Sequence, residues 1–196
     1  AYEYAWLKEW LKRPLLLLET DYTKQSGGQV CTRIEAFLES LTAERKTPKR
    51  QRKGDGTMYV MGIDSGSTST NAVIMDQDRK IKAFSVVRTG AKSGVSADRV
   101  LHEVLEKAGL KREDISWVVS TGYGRVSIEF ADENVTEISC HGKGAHYFNP
   151  KIRTILDIGG QDSKAIRLSD TGEVKDFVMN DKCAAGTGRF LEMIAR

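Results

Sequence analysis

The sequence has 196 residues, 40% of them hydrophobic and 29% charged, with 18 Gly and only 3 Pro. That composition excludes collagen-like and wholly disordered chains, and the length suits one ordinary domain or two small ones. Net charge is +3, but Glu44–Lys53 alone holds six basic residues and one acid, leaving 24 basic against 26 acidic residues elsewhere. The basic character therefore belongs to a solvated linker and not to a nucleic-acid-binding face.

Apolar runs such as Leu15–Leu18 fall far short of the roughly 20 residues that cross a bilayer. The opening AYEYAWLKEW lacks the cationic and apolar regions of a signal peptide, so a cytoplasmic location without membrane contact is expected. Three cysteines, Cys31, Cys140 and Cys183, are odd in number and widely separated. Buried thiols or metal ligands suit that pattern better than a disulfide framework.

RPLLLLET predicts a strand buried on both faces, and Val30, Ile34, Phe37, Leu38 and Leu41 then recur at helical spacing. One strand and one helix cannot bury a core. Residues 1–43 therefore read as the closing βα unit of a larger domain, followed by a basic linker over 44–57. From Met58 three strands are predicted in succession: TMYVMGID, TNAVIMD and KIKAFSVVRT. A helix capped near Ser93 or Ser96 follows, with Val100, Leu101, Val104, Leu105 and Ala108 on one face and Gly109 as its stop. ISWVVST is a strand, 128–138 a further strand or helix, and CHGKGAHYF a helix that Pro150 ends. Cys31 reads as a core or boundary residue, and His102, His146, Trp6, Trp10 and Trp117 read as packing residues.

The next stretch repeats the first strand pair. IDSGSTSTNAVI (63–74) lies over LDIGGQDSKAIR (156–167), aligning Asp64 with Asp157, Gly66 with Gly159 and Ala72 with Ala165 at a constant offset of 93. A duplicated α/β unit is expected, each copy opening with an equivalent hairpin. EVKDFVMN continues the second hairpin and GTGRFLEMIAR begins a helix, so the first half reads as complete over 58–150 and the second as only begun over 151–196. An acid at the end of an apolar strand, followed by Gly and small hydroxyl residues, suits phosphate. Gly admits close backbone approach, amides and hydroxyls donate to phosphate oxygens, and Asp64 is able to hold Mg²⁺ directly or through water.

Paired Asp-Gly hairpins of this kind resemble the actin-like (ribonuclease H-like) α/β superfamily of ATPases and sugar kinases. GIDSGSTSTNAVIMD, STGYGR, EISCHGKGAHYF, LDIGGQDSKAI and NDKCAAGTGRFLE, in this order, more specifically resemble the activator ATPases of 2-hydroxyacyl-CoA dehydratases and benzoyl-CoA reductases. RPLLLLETDYTKQSGGQVCTRIEAFLESL separately resembles the C-terminal end of a dehydratase subunit. The resemblance implies ATP between the hairpins. Gly66, Ser67, Thr68, Ser69, Thr70 and Asn71 form the first phosphate loop, with Asp64 for Mg²⁺; Asp157, Gly159, Gly160 and Gln161 form the second. The family often has Lys where Asn71 stands. Asp64, Asp157 and Gln161 are the expected catalytic residues.

Taken alone, Cys140 and Cys183 are either buried fillers or ligands; each precedes or opens a helix, where a thiolate is favoured. The resemblance implies that they share one four-iron four-sulfur cluster with the same pair of a second copy, making a homodimer. His141 is a helix residue beside the cluster, and Tyr123 lines or fills the cleft. The implied activity is ATP-driven delivery of one low-potential electron, supplied by a ferredoxin- or flavodoxin-type donor, to the dehydratase or a related reductase. Because the second half is only begun, residues 1–196 alone are expected to be inactive. Two other readings fit the hairpins: a small-molecule kinase of the same superfamily, and a nucleotide-binding regulator without turnover.

Overall fold

The computed structural model describes residues 26–41, 56–180 and 187–195. The chain divides into two compact units, Ala1–Ala43 and Glu44–Arg196. In the first, helix α1 (Ser26–Leu41) occupies the segment where helical spacing predicts it. Its buried residues are Thr32, Arg33 and Ala36, whereas Ile34 and Leu38 are exposed. Two residues correspond to about 200° of helical rotation, so the Thr32–Ala36 stripe lies nearly opposite the expected apolar one. Cys31 is exposed, not the core or boundary residue expected of it. The strand expected at RPLLLLET and the linker up to residue 55 lie outside the described residues.

The second unit opens with a meander of β1 (Tyr59–Ser65), β2 (Ser69–Asp76) and β3 (Ile81–Arg88), each antiparallel to the next. Strand alternation sends Met61, Ile63, Ala72, Ile74, Ala83 and Val87 to one face, which is buried. Helix α2 (Ser93–Ala108) presents Ala97, Val100, Val104 and Leu105 to that core. It stops where expected, with Gly109 in the left-handed region at φ 65°. Its N-cap differs: Lys92 holds that position, Ser93 is the first helical residue, and the Ser96 hydroxyl instead accepts the Gly90 amide at 3.0 Å.

Strands β4 (Ile115–Thr121) and β5 (Glu133–Asn134) complete a five-stranded mixed sheet in the order β3-β2-β1-β4-β5, with β4 parallel to β1 and β5 parallel to β4. Helix α3 (Glu137–Phe148) follows, capped by Thr136, whose hydroxyl accepts the Ser139 amide. A second meander, β6 (Thr154–Ile158), β7 (Ser163–Leu168) and β8 (Val174–Asn180), forms a three-stranded antiparallel sheet, and α4 (Gly188–Ile194) ends the described chain. The two meanders are the duplicated openings anticipated in the sequence, in an α/β, actin-like arrangement.

Although α3 follows the first sheet in sequence, its middle and C-terminal parts are seated on the second. A Cβ on Gly142 would lie 3.1 Å from both Leu168 Cδ2 and Val174 Cγ2, so the helix approaches β7 and β8 at backbone distance. Lys143 pairs with Glu173, and His146 Nε2 donates to the Asp170 carbonyl at 3.1 Å. Among the described residues no helix is long and apolar enough to cross a membrane.

Candidate functional site

Both meanders turn at an acid. β1 carries Asp64 near its end, and the loop Gly66–Thr68 returns the chain into β2, with the Gly66 amide donating to Ser69 O at 3.0 Å. Ser67 and Thr68 are exposed at the tip. Thr70 points the other way: it is fully buried and its hydroxyl meets that of Thr89 at 2.8 Å. Asn71 lies directly across from Asp64 and its side chain hydrogen-bonds to that carboxylate. In the second loop the Gly159 amide donates to Asp162 O at 2.9 Å, Gln161 is exposed, and Lys164 lies directly across from Asp157.

The two loops meet. A Cβ on Gly160 would lie 2.8 Å from Thr68 Oγ1 and 3.6 Å from Ser67 Oγ, so the second loop comes close enough to the first that a side chain here would push the Thr68 hydroxyl aside. The start of α4 closes on the same place, the Gly188 amide donating to Gly159 O at 2.8 Å. From below, Gly122 at φ 81° carries no Cβ to collide with Asp64 Oδ1, and the Gly124 amide donates to Ser65 O at 2.9 Å. Tyr123 between them is exposed. Two buried hydroxyls beside this loop, Ser65 Oγ and Thr121 Oγ1, have no hydrogen-bond partner among the described residues.

Charge is concentrated where the start of α3 meets the second hairpin. Lys164, only 4% exposed, places Nζ 2.8 Å from Asp162 Oδ2, 3.6 Å from Asp157 Oδ2 and 3.8 Å from Glu137 Oε1. Buried Arg125 donates to Gly122 O at 3.0 Å and stands 3.8 Å from Glu137 Oε2. His141 Nδ1 lies 3.0 Å from Asp157 Oδ2. Burial alone would lower the Lys164 ammonium, but the Asp162 hydrogen bond and the carboxylates of Asp162, Glu137 and Asp157 outweigh it and raise it. The hydrogen bond from His141 holds Asp157 below the ordinary carboxylate range and raises His141 in return. Burial pushes Asp64 up, with His141 and Asn71 holding it back. The two equivalent acids thus differ: across the hairpin Asp157 meets an ammonium and it hydrogen-bonds an imidazole, whereas Asp64 meets an amide and feels His141 through charge alone.

This arrangement suits a polyanion held by amides and hydroxyls between two loops, with Asp64 open to a hydrated cation. Asp64, Gly66, Ser67, Thr68, Ser69, Asn71, Asp157, Gly159, Gly160 and Gln161 all belong to these two turns. Thr70 stands behind them. Cys140 is half-buried in the first turn of α3, and Cys183 lies outside the described residues. No group of three or more His, Cys, Asp and Glu side chains gathers as a metal site among the described residues.

Residues 61–196 match the BadF/BadG/BcrA/BcrD ATPase family. The chain belongs to that family. It is 55% identical over 139 residues to the activator of lactoyl-CoA dehydratase of Anaerotignum propionicum, a match covering 71% of this chain and 53% of that one. The structure of the activator of the 2-hydroxyisocaproyl-CoA dehydratase from Clostridium difficile with bound ADPNP superposes with a TM-score of 0.66 at 47% identity, covering 70% and 51% of the two chains. Protein MJ0800 of Methanocaldococcus jannaschii is 37% identical over 188 residues, covering 90% of this chain and 42% of that one. The chain spans about half the length of the curated relatives it matches.

Lys164, Asp162, Glu137, Arg125 and Gly122 lie within the motifs quoted above, which gave them no role of their own. The repeat contains a signal for one of them: its offset of 93 pairs Lys164 with Asn71, the residue facing the acid in each hairpin.

Proposed function

We propose that this family member is the ATP-dependent activator of a 2-hydroxyacyl-CoA dehydratase or related reductase. In this reading ATP hydrolysis to ADP and phosphate drives delivery of one electron, taken from a ferredoxin- or flavodoxin-type donor, to that partner. The observation that carries it is the meeting of two Asp-headed loops from separate sheets at Gly160 and Thr68. The ADPNP-bound relative adds that a protein of this shape holds a nucleotide.

The loop amides and the hydroxyls of Ser67, Thr68 and Ser69 bind phosphate oxygens, and Asn71 and Asp64 orient hydrated Mg²⁺. Asp157 and Gln161 orient the attacking water from the opposite loop. Thr70, buried against Thr89, supports the loop from behind. Gly122 and Gly124 keep Asp64 and Ser65 seated.

For the cluster, the chemistry of Cys140 fits: it is a half-buried thiol in the first turn of α3, where helix amides favour the thiolate. Cys140 and Cys183 of two copies would hold it. Such a cluster supplies one-electron storage and transfer when bound. We further propose that residues 1–43 are a dehydratase-like βα remnant joined by the linker 44–57 to the ATPase halves 58–150 and 151–196. The relative matched over 90% of this chain supports that continuity.

Calorimetric titration of the full-length protein with MgADPNP tests the site. One nucleotide per chain, weakened about tenfold or more by Asp157→Ala, about 1.4 kcal/mol or more, is expected. Absence of binding, or equal binding by the variant, overturns the assignment.

A further inference from the structure

We propose that His141 is a positioning residue through which the second phosphate loop sets the placement of Cys140 according to the nucleotide bound. The inference rests on the proposed function above.

From Gly142 onward α3 is fixed to the second sheet by contacts that do not involve the loops: Gly142 against Leu168 and Val174, Lys143 with Glu173, and His146 with Asp170. Its first turn is held differently. Glu137 stands between Lys164 and Arg125, 3.8 Å from each. His141, one turn further on the same face, meets Asp157 Oδ2 at 3.0 Å. Cys140 lies within that turn, three residues after Glu137 and one before His141. Two side-chain links therefore run from the turn carrying the thiol to the charged groups behind the second loop.

Asp157 is the junction. One carboxylate oxygen receives His141 and lies 3.6 Å from Lys164, while the residue itself heads the loop that faces Thr68 across Gly160. Losing the terminal phosphate removes negative charge beside that loop, and the carboxylate reorients among its remaining partners. The imidazole follows Asp157 because the hydrogen bond is directional, and the backbone of the adjacent Cys140 follows the imidazole. Glu137, held on two sides, is the fixed end of this turn; His141 is the end that responds.

The test uses cluster-free full-length protein, so that it reads the thiol and not the loaded enzyme. Iodoacetamide alkylation of Cys140 is followed by peptide mass spectrometry in MgADP and in MgADPNP. The wild type should show rates differing by about fivefold. His141→Ala should make the two rates equal while leaving both nucleotide affinities within about twofold of wild type. His141→Asn should restore the difference, because its amide nitrogen sits near the Nδ1 position and donates to Asp157. Lys143→Ala, which loses only an exposed ion pair on the same helix, should keep it. A nucleotide-dependent difference that survives in His141→Ala, or one missing from the wild type, overturns the inference. Failure of the wild type to bind either nucleotide overturns the phosphate-site reading itself and the inference with it.

Discussion

Lys164 shows how much of the site's stability is electrostatic. Its ammonium is 4% exposed and faces Asp162, Asp157 and Glu137. Removing it leaves three carboxylates with too little compensating charge, so Lys164→Met should cost about 3–5 kcal/mol in urea unfolding at neutral pH. The deficit should shrink as pH falls, because protonating those carboxylates removes the repulsion. His141 provides a pH signature of its own. Its hydrogen bond to Asp157 raises the folded imidazole above 6.5. The stabilisation is therefore fully present below that value and is lost as pH rises through the folded value. Asp157, lowered by the same bond, contributes above its ordinary range and loses that contribution as pH falls through its folded value. An NMR titration should find the His141 ring titrating above 6.5 and moving down in Asp157→Asn; an unchanged midpoint would remove the pairing. At this scale the sequence disclosed the acids and glycines, because a repeat and a turn each leave a local pattern. It did not disclose Lys164, Glu137 or Arg125, since charged residues ordinarily read as surface and their partners meet only across the fold.

Helix α3 depends on its glycines in two opposite ways. Gly142 lies against Leu168 and Val174, whereas a Cβ on Gly144 would meet nothing within 4 Å. Gly142→Val should therefore overpack the helix–sheet contact and cost about 1–3 kcal/mol. Gly144→Ala should instead gain about 0.5–1 kcal/mol by limiting the unfolded backbone and improving helix propensity. Thermal unfolding of both variants checks the pair, and shifts of the same sign would contradict this docking. Strong periodicity made β1 to β4 and the body of α2 legible in the sequence, and Gly109 ended α2 as its lack of a Cβ predicts. The α2 N-cap was misread because Ser93 and Ser96 both look like caps, while the Ser96 hydroxyl is taken by Gly90. The segment 128–138 stayed ambiguous because β5 is two residues long, too short to carry a period.

At the scale of the molecule, duplication was the most informative feature of the sequence. It anticipated two meanders headed by equivalent acids, and the register agrees: Ile63, Ala72 and Ser85 form one cross-strand row, and Leu156, Ala165 and Val178 form its counterpart. The first row lies on the face that α2 covers, whereas Leu156 and Val178 are 72% and 67% exposed. Sequence distance concealed the seating of α3, which follows the first sheet in the chain and packs on the second through Gly142. That seating brings His141, the neighbour of Cys140, within 3.0 Å of Asp157 on the second sheet, so whatever moves the second loop acts one residue from the thiol.

In the proposed function, ATP chemistry at the loops is joined to electron transfer through Cys140 and Cys183. Anaerobic iron and sulfide analysis of the full-length protein, with its absorption spectrum and beside a Cys140→Ala, Cys183→Ala double variant, tests it most directly. About four irons and four sulfides per two chains in the wild type, lost in the variant, is the expected result. Iron-free wild-type protein that still hydrolyses ATP would contradict it and favour a kinase or a nucleotide-binding regulator on the same fold.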